Sequence, residues 1–268
     1  MKRGKKMLTI IISILGTICL IAWGGITFLG RTQTVPVKTI ENLNGDLYLI
    51  RLTKPNNMTW KAGSSAQFGL HDVQKIKQET TDTVSGATMN VDKNEENSRW
   101  LTIASSPDEN EILILTHNSG SLYKKSLTSL PAGSKVEMSW VDSHFSVSDG
   151  KEPIICFASD VGIAAIRPII KEWAGKRDII FSHLDKGVTV FNEEITSLSN
   201  KVTNLTYETS ASSSQSQETF KKAVDKYGNK AIYLLAGRPD DVEMMKNFLE
   251  ENGISMKQIK VDSFKGLK

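Results

Sequence analysis

Near residue 150 the apolar rhythm of the chain changes, and that change constrains the fold more than any other feature. Between residues 36 and 148 the hydrophobic residues come in short alternating runs: "LYLIRL", "AQFGL", "RWLTIA", "EILILT" and "SKVEMSW". Turn signals at "NLNG", "KPNN", "SPDEN" and "PAGS" separate them. Alternation with period two buries one face of each strand, and short strands between regular turns predict an antiparallel barrel or sandwich. From residue 152 the runs become continuous, as in "PIICFAS", "RDIIFSH" and "KAIYLLAG". Strands apolar on both faces belong in a parallel sheet covered by helices, and the pattern predicts helices over 163–174 and 240–252. "EENGISMKQIKVDSF" then predicts a helix stopped at Gly253 and a last strand.

Upstream of the barrel, Met7 to Leu29 form 23 residues without a charge, about 34 Å as a helix. A secretory signal has a shorter apolar stretch and a small-x-small cleavage site, which this segment lacks, so an uncleaved anchor is expected. Cys19 follows Ile18, where lipid attachment requires a small residue. Trp23 suits the membrane interface. Lys2, Arg3, Lys5 and Lys6 precede the span, against Arg31 and Lys38 after it, which favours a cytoplasmic N-terminus. The expected layout is a basic tail over 1–6, a transmembrane helix over 7–29 and a linker over 30–35. A barrel over 36–149 and an α/β domain over 150–268 follow, outside the cytoplasm.

The formal net charge is +3, and without those four tail cations the rest is close to neutral, so nucleic acid is not an expected partner. Cys19 and Cys156 offer neither a disulfide pair nor a Cys/His cluster. His71, His117, His144 and His183 stand in no ligand spacing, so no metal is expected. Asp142, Ser143 and His144 form no triad by adjacency alone.

Five segments, in order, resemble the ferredoxin-NADP reductase superfamily: "WKAGSSAQFGL", "RWLTIASSP", "SGSLYKKSLTSLPAGSKV", "CFASDVGIAAIRPII" and "YLLAGRPDDVEMMKNFLEENGI" with terminal "VDSFKG". The resemblance implies a barrel that binds flavin and an α/β domain built like an NAD-binding domain. Its flavin strand has the pattern Arg-x-aromatic-Ser/Thr. Arg99 and Thr102 match, implying a guanidinium on a flavin phosphate and a hydroxyl near the ring edge. Leu101 departs, offering apolar contact where relatives stack a ring. Gly120 and Ser121 belong to the phosphate-side segment; Lys124 and Lys125 either reach that phosphate or form an exposed pair.

The nucleotide turn departs further. Bare backbone at a helix N-terminus is what a diphosphate approaches, and relatives read Gly-Gly-Thr-Gly-Ile-x-Pro there. This chain reads Ser159, Asp160, Val161, Gly162, Ile163, Ala164, Ala165, keeping only Gly162 and Ile163. An Asp160 carboxylate about 5 Å from a phosphate repels it by roughly 3 kcal/mol at an effective dielectric near 20. Ala236 replaces the cysteine that relatives place by the nicotinamide. The Ser-rich stretch "ETSASSSQSQ" over 208–217 offers no cation for a 2′-phosphate and reads as a mobile loop. NAD(P)H binding is therefore disfavoured.

Between "AQFGL" and "RWLTIA" lies a polar inserted loop over 71–98, containing Asp82-Thr83-Val84-Ser85-Gly86-Ala87-Thr88. It is similar to the Asp-x-x-Ser-Gly-Ala-Thr motif on which FAD:protein FMN transferases join FMN to the last threonine. The motif comprises Asp82, Ser85, Gly86 and Ala87, with Thr88 as the attachment point. Outside the cytoplasm a dissociating flavin is diluted away, whereas a tether keeps its local concentration high.

Together these features imply a membrane-anchored flavin-dependent oxidoreductase or electron carrier with FMN held covalently on Thr88, and leave open whether a noncovalent FAD binds in addition. No side chain is expected to act as acid or base. The expected partners are the FMN transferase, a membrane donor such as a quinol-linked protein, and an extracytoplasmic acceptor. The rival expectations are an NAD(P)H-dependent flavin or ferredoxin-type reductase with noncovalent FAD and a cytoplasmic domain, or an interaction module that has lost its cofactors.

Overall fold

The computed structural model describes residues 14, 16–17, 32–70 and 97–264. The segment proposed to cross the membrane lies outside them except at positions 14, 16 and 17. Among the described residues no helix is long and apolar enough to span a bilayer. Thr88 and its motif also lie outside the described residues.

The first half builds strands β1 (Gln33–Asn44), β2 (Leu47–Thr53), β3 (Ser65–Leu70), β4 (Ser98–Thr102), β5 (Glu111–His117), helix α1 (Leu122–Thr128) and β6 (Lys135–Asp142). They pair antiparallel in the order β4-β3-β6-β1-β2-β5. The two ends of this sheet, through Leu101 on β4 and Ile112 and Ile114 on β5, enter one apolar cluster with Val35, Phe68 and Met138. The sheet is therefore rolled into a barrel, as the alternating runs predict. Its first strand starts at Gln33, inside the segment read as a linker.

The second half runs β7 (Ile154–Ser159), α2 (Ile163–Trp173), β8 (Ile179–Leu184), α3 (Asn192–Ser199), β9 (Leu205–Ser210), α4 (Ser213–Tyr227), β10 (Ile232–Gly237), α5 (Pro239–Glu251) and β11 (Ile259–Ser263). These strands are parallel, in the order β11-β10-β7-β8-β9. Phe220, Ala223, Val242 and Met245 of α4 and α5 cover one face. On the other face Ile163, Ile166, Ile169 and Ile170 of α2 are fully buried. Each such side chain contributes about 1.5–3 kcal/mol on burial. The same cluster takes in Leu47, Leu113 and Leu115 from the barrel, so α2 is the wedge that joins the two domains.

Residues 208–217 are not a loop. They form the end of β9 and the first turn of α4, where Ser212 Oγ accepts from the Gln215 N–H. A serine run suits a helix start because the hydroxyl satisfies an otherwise orphan amide. Phe220, Ala223 and Val224, beyond the serines, supply the apolar face that keeps the helix docked.

A buried charge network fixes the wedge. Arg167 on α2 donates to both Glu109 oxygens at 2.8–2.9 Å, to both Glu194 oxygens at 2.6–2.8 Å and to the Ala104 carbonyl at 2.8 Å. Glu109 comes from the β4–β5 connection and Glu194 from α3, so one guanidinium ties barrel, wedge and outer helix together.

Candidate functional site

Between the two domains lies a cavity of about 550 Å³. The barrel contributes Arg99 to Thr102 of β4, the end of β5 and the turn into α1; the α/β domain contributes Val161 and the Asp262–Phe264 segment. Alternation along β4 sets the wall: Leu101 is buried in the barrel core, while Trp100 is 53% exposed at the cavity rim. Phe264 is held at the mouth because its N–H donates to the Gly237 carbonyl at 2.9 Å.

One part of the cavity is cationic. Ser121 caps α1, its hydroxyl accepting from the Lys124 N–H at 3.3 Å. Asn118 Oδ1 accepts from the Gly120 N–H at 3.1 Å, which shapes the turn and leaves Gly120 at φ +81. The cap sends Lys124 back across the turn, where its ammonium donates to Thr116 Oγ1. Burial, and then Arg99 nearby, push the Lys124 ammonium down to about 8. Arg99 lies over the Tyr123 ring at 5.6 Å. Among the described residues neither Arg99 nor Lys124 has a carboxylate partner, so both retain unspent capacity for an anion. Lys125 is exposed and does not line the cavity.

Another part is polar and acidic. Thr102 Oγ1 donates to Asp262 Oδ2 at 3.3 Å. Burial raises the Asp262 carboxyl to about 6, with the lowering effects of His144 and of the Thr102 hydrogen bond too small to offset it. Nothing in the residue pattern singles out Asp262, a carboxyl of raised pKa in a site where the sequence predicts no acid or base.

The nucleotide-like turn follows β7 at the point where the strand order reverses, the place where open α/β sheets bind ligands. Gly162 is pressed against β10: a Cβ there would lie 2.3 Å from the Ala236 carbonyl oxygen. Ile163, the first residue of α2, is fully buried and does not line this cavity. Asp160 sits at φ +55. Its carboxylate is not the free anion expected from the sequence, since Oδ1 accepts from the Val161 N–H at 2.7 Å and lies 2.6 Å from His117 Nε2. His117 Nδ1 lies 2.8 Å from Asp46 Oδ1. A carboxylate at each ring nitrogen favours the doubly protonated ring, in which both nitrogens donate. Its pKa is raised, chiefly by the Asp160 hydrogen bond, and burial opposes the shift.

His183 and His144 do structural work, and His71 lies outside the described residues. His183 is buried with Nδ1 3.2 Å from Asn192 Oδ1, and burial lowers its pKa. His144 Nδ1 meets Asp142 Oδ2 at 2.7 Å, but the Ser143 hydroxyl faces Ser64 instead, so no triad forms. Among the described residues no cluster could hold a metal ion.

The structure thus brings Arg99, Leu101, Thr102 and Ser121 to one cavity and adds Lys124, His117, Val161, Asp262 and Phe264. The cavity fits a flavin: two cations await a phosphate, Leu101, Leu115 and Val161 give an apolar wall, and Thr102 with Asp262 gives a polar edge.

No protein-family model matches the chain, and no curated protein does either. Solved structures do. A cytochrome P450 reductase, GcoB, from Amycolatopsis superposes with a TM-score of 0.65 at 14% identity, over 88% of this chain and 71% of its own. A ferredoxin NADP+ reductase from Neisseria gonorrhoeae, with bound FAD and NADP, gives 0.64 at 13% identity over 87% and 98%. The CS-b5R domains of human Ncb5or, in an NAD+ form, give 0.62 at 15% identity over 87% and 70%. At these identities the likeness is one of architecture, and the architecture is the two-domain fold of ferredoxin-NADP reductase-like proteins.

Proposed function

We propose that the chain is a flavin-dependent oxidoreductase that holds its flavin between the barrel and the α/β domain. The observation that carries this reading is the pairing of Arg99 and Lys124 at a cavity whose other wall holds Thr102 and Asp262. Arg99, Lys124, Ser119 and Ser121 would hold the phosphate, and Leu101, Leu115 and Val161 the ring. When bound, the flavin supplies the redox chemistry. Asp262, with a pKa of about 6, would hold or release a proton at the ring edge while Thr102 keeps its carboxyl oriented. Phe264 and the buried wedge would limit water at that edge.

The proposal extends to how the flavin is kept. FMN would be joined to Thr88 by an FAD:protein FMN transferase, in a chain anchored by its N-terminal apolar stretch with the two domains outside the cytoplasm. Electrons would pass from a membrane donor to an extracytoplasmic acceptor. Support comes from the Asp82–Thr88 motif and from its position between β3 and β4, both of which contribute side chains to the cavity. Intact mass and peptide mapping of protein from its native membrane test it. One FMN phosphoester on the Thr88 peptide, lost in Thr88→Ala, is the expected result; an unmodified Thr88 from cells that contain the transferase would overturn the tether.

A second reading, an NAD(P)H-dependent reductase with noncovalent FAD, is favoured by the fold comparison, which includes one structure with bound FAD and NADP and one in an NAD+ form. Anaerobic mixing of the flavin-loaded protein with NADH or NADPH separates the two. Bleaching of the flavin by micromolar dinucleotide would establish the second reading, whereas bleaching by a quinol-linked donor alone would establish the first.

A further inference from the structure

We infer that Asp160 and His117 form a specificity-determining pair that fills the nucleotide side of the cleft with the chain's own anion. The inference rests on the reading that electrons do not come from a dinucleotide. A phosphate at such a turn is held by backbone N–H groups and compensated by a nearby cation. Here both roles are taken from within: the Val161 N–H already donates to Asp160 Oδ1 at 2.7 Å, and His117 supplies the cation at 2.6 Å. Asp46 holds the far side of the imidazole at 2.8 Å. Because His117 ends β5 of the barrel and Asp160 follows β7 of the α/β domain, the pair also bridges the domains beside the cavity that His117 and Val161 line.

Asp160 adopts φ +55, a conformation that glycine enters freely and that aspartate reaches more readily than most side-chain-bearing residues, its carboxylate bonding locally to the Val161 N–H. Glycine at this position keeps the positive φ accessible while removing the anion, so Asp160→Gly is the informative variant, with circular dichroism showing that it remains folded. It would leave the Val161 amide unsatisfied and the His117 imidazolium facing the opening.

The test is a calorimetric titration of inorganic pyrophosphate, and separately of NADPH, into the flavin-loaded parent, Asp160→Gly and His117→Gln. Flavin content is measured by absorbance in each, so that loss of the flavin site is read independently of anion binding. Expected is no pyrophosphate binding by the parent, a gain of at least tenfold in affinity in Asp160→Gly, and no gain in His117→Gln, where the carboxylate still caps Val161. NADPH should bind Asp160→Gly better than the parent. Pyrophosphate or NADPH binding by the parent as tight as by Asp160→Gly would overturn the inference. So would an Asp160→Gly protein that retains flavin and gains affinity for neither probe.

Discussion

Thr102 on the barrel donates its hydroxyl to Asp262 on the last strand of the α/β domain, 3.3 Å away, and so places a carboxyl of raised pKa in the cavity wall. An acid whose pKa rises from 3.8 to about 6 on folding binds more protons in the folded state between those values. Stability therefore falls as pH rises from about 4 to about 6 and is level above it on account of this group. Asp262→Asn should remove that slope and raise stability at pH 7. Urea unfolding of both proteins from pH 4 to 8 checks it, and equal slopes would show that Asp262 does not titrate there. In turnover, the parent should lose a pH limb near 6 on the same substitution.

Lys124 and Arg99 should control flavin retention. Charge-assisted hydrogen bonds contribute about 1.5–3 kcal/mol, so Arg99→Ala or Lys124→Ala should weaken added FMN by roughly 10- to 100-fold. The Lys124 ammonium, lowered to about 8 by burial and by Arg99, is lost as pH rises through 8, and affinity should fall with it. Lys124→Arg should bind FMN without that pH dependence. Fluorescence titration from pH 6 to 9 reads both effects, and a pH-independent parent would remove Lys124 from the phosphate site.

How far the sequence carries depends on whether a feature is local. Continuous apolar runs around Cys156, Phe181 and Leu234 mark the buried parallel strands because both faces of such strands are apolar, and these strands form as read. β9 is an edge strand whose run "LTYETS" has only its two ends buried, so it carries no strong apolar pattern. α4 opens on serines, which resemble a loop in composition although one of them is a cap. The pairs that matter most are invisible for a different reason. His117 meets Asp46 through the β2–β5 pairing inside the barrel, whereas His117 meets Asp160 and Thr102 meets Asp262 across 43 and 160 residues that only the packing of two domains closes. Arg99 and Thr102 stand out in the sequence because one short strand carries both halves of a family-like pattern, and both line the cavity.

Arg167 should be the most costly charged residue to remove. Burial disfavours ionisation of Glu109, yet the hydrogen bonds from Arg167, the Ser106 N–H and Lys171 hold its carboxyl at about 2. Breaking a buried ion pair from one side costs about 3–5 kcal/mol, because the partner charge stays behind unpaired. Arg167→Ala should approach that range in urea unfolding, with Arg167→Lys recovering part of it through a single point charge. Since Glu109 has a depressed pKa, its contribution is present above about 4.5 and is lost as pH falls towards 2. The parent should therefore lose stability in acid more steeply than Glu109→Gln.

Gly162 holds the turn against β10, and its replacement should separate packing from charge at this site. A Cβ would meet the Ala236 carbonyl oxygen at 2.3 Å and the Gly237 Cα at 2.7 Å, both backbone atoms that cannot swing aside. Overpacking typically costs about 1–3 kcal/mol, and a backbone obstacle places Gly162→Ala at or beyond the upper figure. Gly69→Ala on β3 is the matched control, because its Cβ would meet only ordinary contacts, the nearest at 3.5 Å on Glu137. The control should stay within about 1 kcal/mol of the parent, as substitutions without a clash commonly do. The two substitutions should also differ in what they disturb: Gly162→Ala moves the turn that carries Asp160 and so should weaken its grip on His117, which the imidazole proton resonances of His117 report directly. Equal urea midpoints for the two variants would mean that the turn can shift away from β10 without cost, and that the position of Asp160 is set by its hydrogen bonds rather than by the packing beneath it.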